Sequence, residues 1–218
     1  SIRMGAMGRQ WMGAEVIATG RDAGRLAQTL ALLAPGSHQS IAADLTEAEA
    51  PARIAMEVGE LHGVVHSAGV SALAPLRLAT PESFERLWKI NYLAPLRLTQ
   101  SLLKAGRIVG GGSIVFIGSI SADIGVAGVS AYAGTKAALA ASARCLAMEV
   151  SKRGIRVNTV APGIVETEMA AAGADMLGDT MERQRADYPL GFGKPEDVAH
   201  LAAFLVSDAG RWITGTSV

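Results

Sequence analysis

Tyr132 and Lys136 stand four positions apart in "SAYAGTKAAL" (130–139), a run of small helix-forming residues that gives a phenol little core to fill. At 3.6 residues per turn the two share one helix face, with Cβ atoms roughly 5–6 Å apart, so an ammonium can sit beneath a phenol. The pair is a candidate proton donor; the plain alternative is a surface pair such as any amphipathic helix can carry. Ser119 precedes Tyr132 by thirteen positions, directly after the apolar run "SIVFIG", with Ser121 close behind. Asn91 lies in "LWKINYLAPL", where a polar amide on an apolar stretch needs a partner. Alone, Asn91 reads equally as a helix-bending core asparagine.

Such side chains need a scaffold, and the chain alternates short β-rich runs with longer helical ones. "EVIAT" (15–19), "LHGVVHS" (61–67), "SIVFIG" (113–118) and "IRVNTVA" (155–161) are apolar and too short for helices, with "QSIA" (39–42) as a weaker fifth strand. Helices are predicted near 22–33, 46–58, 81–105 and 130–152, and another starts at "PEDVAHLAAFLVS" with Pro195 in its first turn. This alternation predicts a single-domain α/β fold spanning 1–218, a Rossmann-type doubly wound parallel sheet with helices on both faces. Ligands in such sheets bind beyond the carboxyl ends of the strands. There the sequence places Ala68-Gly69, small enough to let a flat ligand lie on the backbone. There too are Ser119 and Ser121, and "TVAPGIVETEM" with a Pro162-Gly163 turn and Thr167 free to bond a ligand amide.

The chain has 218 residues, half of them hydrophobic, with 25 glycines, which suits one compact domain with a substantial core. Lys plus Arg equals Asp plus Glu at 20 each, and no stretch gathers like charges, so neither a nucleic acid nor an anionic membrane is an expected partner. A small neutral or modestly charged ligand is the better fit. Cys145 is the single cysteine; it excludes an internal disulfide, fits a reducing cytoplasm, and reads as core packing among Ala, Leu and Met. No apolar run reaches the ~18 to 20 residues of a membrane span, and the first residues lack the order of a signal peptide.

In sequence order, "HSAG" (66–69), "KIN" (89–91), Ser119, "YAGTK" (132–136), "PGIVET" (162–167), "PEDVA" (195–199) and "WITG" (212–215) resemble the short-chain dehydrogenase/reductase family, from about residue 13 to 218. The group suggested is that of 3-oxoacyl-carrier-protein reductases and small alcohol or sugar dehydrogenases. The resemblance implies a catalytic tetrad of Asn91, Ser119, Tyr132 and Lys136. It implies cofactor contacts from Gly5, Arg21, Asp44, Leu45, Ser67, Ala68, Gly69, Tyr132, Lys136, Pro162, Gly163, Val165 and Thr167. The implied reaction moves a hydride between a nicotinamide cofactor and a carbonyl or secondary alcohol. Tyr132 gives the proton, its phenol lowered from about 10 by the Lys136 cation and the oxidised nicotinamide. Ser119 bonds the substrate oxygen, and Asn91, by backbone or amide and a held water, relays protons from Lys136 to solvent.

Where NAD users of the family usually carry an acid stands Gly20, followed by Arg21, which can pair with a 2′-phosphate, so NADP is expected, with NAD the alternative because Asp22 lies alongside. Asp44 reads otherwise as an N-cap for a helix from Thr46.

The chain departs from the family at several points. It begins "SIRMGAMGRQWMGAEV", without the first strand or the Thr-Gly-x-x-x-Gly-x-Gly turn, Gly5 being the candidate last glycine, and it stops at "ITGTSV", where a final strand should follow. Both ends are expected to be cut short. Ser67 replaces the second Asn of the turn, and "PLGFGKPED" is one residue shorter than usual. These gaps keep alive a second class, a catalytically idle dinucleotide-binding or regulatory protein. A substrate pocket is expected from 170–192, with Met169, Met176, Leu177 and Met181 as an apolar wall or as ordinary lid packing. Helices 81–105 and 130–152 are apolar over more than one face, which predicts a homotetramer or homodimer.

Overall fold

The computed structural model describes residues 14–167, 169–170, 185–186 and 188–218. Gly5 and the positions Met176, Leu177 and Met181 lie outside them. Five parallel strands follow the predicted alternation: β1 (Ile17–Gly20), β2 (Gln39–Ala42), β3 (Leu61–His66), β4 (Ile108–Ile117) and β5 (Arg156–Val160). Between and after them run α1 (Ala23–Ala31), α2 (Ala50–Glu57), α3 (Pro81–Trp88), α4 (Ala94–Lys104), α5 (Ser130–Val150) and α6 (Pro195–Val206). Among the described residues the strands form two hydrogen-bonded groups, β1 with β2 and β3-β4-β5, and no ladder joins β1 to β3.

Strand β4 is the axis of the larger group and shows why helices cover both faces. Ile114 and Phe116 point into one apolar cluster with Leu98 and Leu102 of α4 and Leu139, Ala143 and Ala147 of α5. Val115 and Ile117 point the other way, onto Val198, Ala202 and Leu205 of α6. Period-2 alternation thus meets a helix on each side, and each such large side chain contributes about 1.5–3 kcal/mol by leaving water. The strand starts five residues before the predicted run, and its pairing with β3 shifts register between Leu61 and Gly63, where three consecutive glycines, 110–112, take up the irregularity.

Helix starts follow local chemistry. Asp22 caps α1 by accepting from the Arg25 N–H at 2.9 Å, and Thr80 caps α3 by accepting from Ser83 at 3.2 Å, with Pro81 next. At α6 the Asp197 carboxylate reaches back to the Lys194 N–H at 2.7 Å. Helix α2 begins at Ala50 rather than at Thr46: Asp44 bonds both the N–H and the hydroxyl of Thr46, at 2.8 and 2.7 Å, and so closes a turn ahead of the helix.

Two more expectations need correcting. Cys145 is exposed, because α5 buries Leu139, Ala140, Ala143, Ala147 and Val150, and position 145 lies on the opposite side of that stripe. The final strand, expected only beyond the chain end, already begins inside it. The Gly215 N–H bonds Val157 O, Thr159 N–H bonds Thr216 O, and Val218 N–H bonds Thr159 O, in parallel register on the edge of β5. Asn158, wholly buried, fastens this segment by donating to Ile213 O at 2.9 Å.

Candidate active site

Ser119, Tyr132 and Lys136 meet in one cavity of about 220 Å³ at the carboxyl ends of β3, β4 and β5, with Ser67, Gly69, Pro162, Gly163, Val165 and Thr167 among its walls. A second recess of about 290 Å³ lies between Leu45-Thr46 and the α3–α4 run. None of Ser119, Tyr132 and Lys136 lines it, so the chemistry points to the first cavity.

Helix α5 carries Tyr132 and Lys136 in its first two turns, and β4 delivers Ser119 at its end. Lys136 is 5% exposed; its ammonium donates to Ile117 O at 2.7 Å and lies 5.8 Å from the centre of the Tyr132 ring. Burial pushes this amine down to about 8. For Tyr132 the chain's own groups act the other way, the expected lowering having included the charge of an oxidised nicotinamide. Burial raises the phenol above its ordinary value, and a hydrogen bond from Ser119, which favours the phenolate, offsets only part of that.

Asn91 is 1% exposed and sits in a single π turn, Lys89–Leu93, between α3 and α4. Its amide pairs with both backbone groups of Val70, accepting at 2.8 Å and donating at 2.9 Å, and donates also to the Thr135 hydroxyl at 3.2 Å. Thr135 in turn donates to Tyr132 O at 2.7 Å. The predicted partner therefore exists, and it is the loop after β3 together with the start of α5. The amide's hydrogens are thereby engaged. The main-chain carbonyl of Asn91 differs, because the residue four positions on is Pro95, which has no N–H to give it.

The cavity suits a flat ligand. A Cβ added at Gly69 would lie 3.4 Å from Asn91 Oδ1 and 3.5 Å from Lys136 Nζ, so the bare backbone leaves room beside the amine. Across from it Val165 bridges Gly193 through its neighbours, with Glu166 N–H to Gly193 O at 2.9 Å and Gly193 N–H to Ile164 O at 3.0 Å. The Val165 N–H therefore faces the other way. Thr167 donates to Val165 O at 3.3 Å. These residues fit the carboxamide and ring of a nicotinamide.

Arg21, Asp44 and Leu45 lie apart from that cluster, at the ends of β1 and β2, where Arg21 and Asp44 approach to 3.8 Å. Hydrogen bonds from Thr46 hold the Asp44 carboxyl below the usual carboxylate range. Ala68 follows Ser67 on the loop after β3. Met169 is partly exposed on the cavity wall, with Ala170 beside it.

Three residues went unread in the sequence. Thr135 joins Asn91 to Tyr132; its only signal was a hydroxyl inside an alanine-rich helix. His66, fully buried, bonds the Thr99 hydroxyl at 2.8 Å and stacks on Phe116 at 4.9 Å, and burial holds it down at about 4. Tyr188 closes over the Pro162-Gly163 turn so tightly that a Cβ at Gly163 would come within 2.9 Å of its ring. No spacing pattern points to a contact across that distance.

The fold agrees with what the chain is similar to. A family model described as enoyl-(acyl carrier protein) reductase matches residues 6–218. An uncharacterized oxidoreductase of Methylorubrum extorquens is 40% identical over 161 residues, 73% of this chain and 64% of that one, so the match spans less than two thirds of that relative. The inactive 2-(S)-hydroxypropyl-CoM dehydrogenase 2 of Xanthobacter autotrophicus is 33% identical, covering 93% of this chain and 91% of its own. A 3-oxoacyl-[acyl-carrier-protein] reductase of Escherichia coli is 34% identical over 76% of this chain and 67% of its own. A crystal structure of a dehydrogenase/reductase from Sinorhizobium meliloti superposes with TM-score 0.88 and 34% identity, over 100% of this chain and 88% of that one. The chain belongs to the short-chain dehydrogenase/reductase family, and its α/β fold is of the Rossmann type. It is an oxidoreductase by family.

Proposed function

We propose that this protein transfers a hydride between NADP and a carbonyl or secondary alcohol, with Tyr132 as the proton donor and acceptor. The observation that carries the reading is the convergence of Ser119, Tyr132 and Lys136 on one cavity beside the bare backbone of Gly69. The nicotinamide supplies or accepts the hydride. The chain does the rest: Ser119 and Tyr132 hydroxyls hold the substrate oxygen, and Tyr132 gives it a proton. Lys136, with a value near 8, carries its charge at neutral pH, steadies the phenolate and binds the cofactor ribose. The relay to solvent runs from Lys136 through a water on the Asn91 carbonyl, since the Asn91 amide is taken up by Val70 and Thr135. Arg21 is the group that meets a 2′-phosphate, by leaving its loose pairing with Asp44; Leu45 and Ala68 flank the nucleotide, as the family resemblance implies.

A second reading, a catalytically idle binder, is favoured by the relative named as inactive. Against it stands the intact set of Ser, Tyr and Lys, for which a binder has no use. Near-ultraviolet absorbance of NADPH and NADH, followed with a panel of β-keto esters, ketones and quinones, separates the two. Substrate-dependent oxidation is expected, faster with NADPH; tight cofactor binding without any turnover establishes the idle reading.

The same reading makes the protein a homodimer or homotetramer in the cytoplasm. Helix α5 leaves Cys145 and Met148 on its outer side, the latter 76% exposed, with Trp88 and Leu93 also exposed on the α3–α4 run. Among the described residues no helix is long and apolar enough to cross a membrane. Light scattering at two or four times the 22.5 kDa chain mass supports association, and the single mass refutes it.

A further inference from the structure

A hydroxyl that must stabilise a developing alkoxide has to donate, yet a serine hydroxyl can equally accept. What fixes its sense is whatever fills its lone pairs. Ser119 Oγ has two, and Ser121 supplies a donor to each: its backbone N–H at 3.2 Å and its side-chain hydroxyl at 2.9 Å. Ser121 is itself buried, in the short turn of helix Ile120–Ala122 that Ser119 caps. Its hydroxyl has no need to rotate outward to reach water.

We propose that Ser121 is a positioning residue that makes Ser119 an obligate donor: with both acceptor sites occupied, the one hydrogen of the Ser119 hydroxyl can only point into the cavity. Without substrate that hydrogen goes to the Tyr132 oxygen, which agrees with the direction in which Ser119 moves the phenol. With substrate it goes to the carbonyl oxygen, alongside the Tyr132 proton, so two donors aim at the atom that gains charge. Such preorganised donors are worth most where water is excluded. Lys136 is the charged group that faces Tyr132 from α5, and it is present in every arm of the test.

The inference rests on the hydride-transfer reading, and its test is chosen to work without turnover. Tyrosine-selective 13C NMR of the ligand-free chain follows the titration of Tyr132, one of only 3 tyrosines, assigned by its loss in Tyr132→Phe. Ser121→Ala is expected to raise the Tyr132 value by about half a unit, in the same sense as Ser119→Ala and with no further rise in the double variant. Ser121→Thr, which keeps the hydroxyl, is expected to stay at the wild-type value. In turnover, Ser121→Ala lowers kcat about tenfold, a fraction of what a full oxyanion donor contributes, and leaves the KM for cofactor unchanged. An unmoved Tyr132 titration in Ser121→Ala, or an equal rise in Ser121→Thr, overturns the proposal even if kcat falls. A wild-type chain inactive on every substrate, but with the Tyr132 shift intact, overturns the reaction and leaves the role of Ser121 standing.

Discussion

Around β3, β4 and β5 three groups with a proposed chemical task are held from behind by hydrogen-bond partners: Asn91 by Val70 and Thr135, Lys136 by Ile117 O, Ser119 by Ser121. At the ends of β1 and β2 the proposed phosphate-binding cation is loose. Arg21 has a side chain 68% exposed and reaches Asp44 only at 3.8 Å. The contrast matches two kinds of work. Proton delivery fails with small displacements of the reacting atoms, whereas recognition of a phosphate by a guanidinium tolerates motion and uses charge at the surface. Changes in the first region should therefore cost rate or folding, and changes in the second should redirect preference.

The sharpest break is Tyr132→Phe, which removes the proton donor and little surface. Turnover is expected to fall by about 10² to 10⁴ with cofactor affinity nearly intact. Steady-state kinetics retaining a tenth of the wild-type rate removes Tyr132 from its role. Next in size is Phe116→Ala in β4. This ring is fully buried against α4, α5 and His66, and its loss should destabilise the fold by about 3–5 kcal/mol in urea denaturation. A cost below about 1 kcal/mol would mean that the larger region is no better packed than the smaller.

Acid should weaken the same region. His66 has a folded value of about 4 against an ordinary 6.5, so the unfolded chain binds the proton first and stability falls as pH drops from 6.5 towards 4. The full loss is about 3 kcal/mol at 1.36 kcal/mol per unit. His66→Gln should flatten that part of the curve; an unchanged pH dependence of the urea midpoint excludes His66 as its source. Lys136 works in the opposite range. Its lowered value makes stability rise with pH from about 8 upward, towards the ordinary value of 10.5.

In the looser region, Gly20→Asp with Arg21→Ile adds an acceptor for a ribose hydroxyl and deletes the phosphate partner. The ratio of kcat/KM for the two cofactors should move towards NAD by about tenfold or more. A ratio that stays put places specificity elsewhere. Smallest of all, Arg21→Ala should change the urea midpoint by less than about 1 kcal/mol equivalent, as exposed pairs do.

The same division governs what could be read in advance. Strands and helices were legible wherever apolar periodicity was strong, as in "SIVFIG" and the long run from Ser130, and Asn91 announced itself as an amide in need of a partner. That Tyr132 and Lys136 would lie together was legible because they share a helix face. Cys145 was misplaced because an alanine-rich helix hides which face is buried. The upward push of burial on Tyr132 was not legible, because spacing shows the nearby charge and not the depth of burial. Ser121, Thr135 and Tyr188 act through contacts that depend on loop geometry or on residues far along the chain, and no local pattern encodes those.

The π turn at Lys89–Leu93 has a bearing on how this protein can change over generations. It holds one residue more than a regular helix would need between α3 and α4, and that residue sets the rotational phase of everything after it. Deleting a single residue there would leave a smoother helix and turn α4 by about 100°. Thr99 would swing away from His66, and Leu98 and Leu102 would leave the core. Around Asn91, length is therefore constrained as strictly as identity: a one-residue indel would act on this stretch as a frameshift acts on a gene.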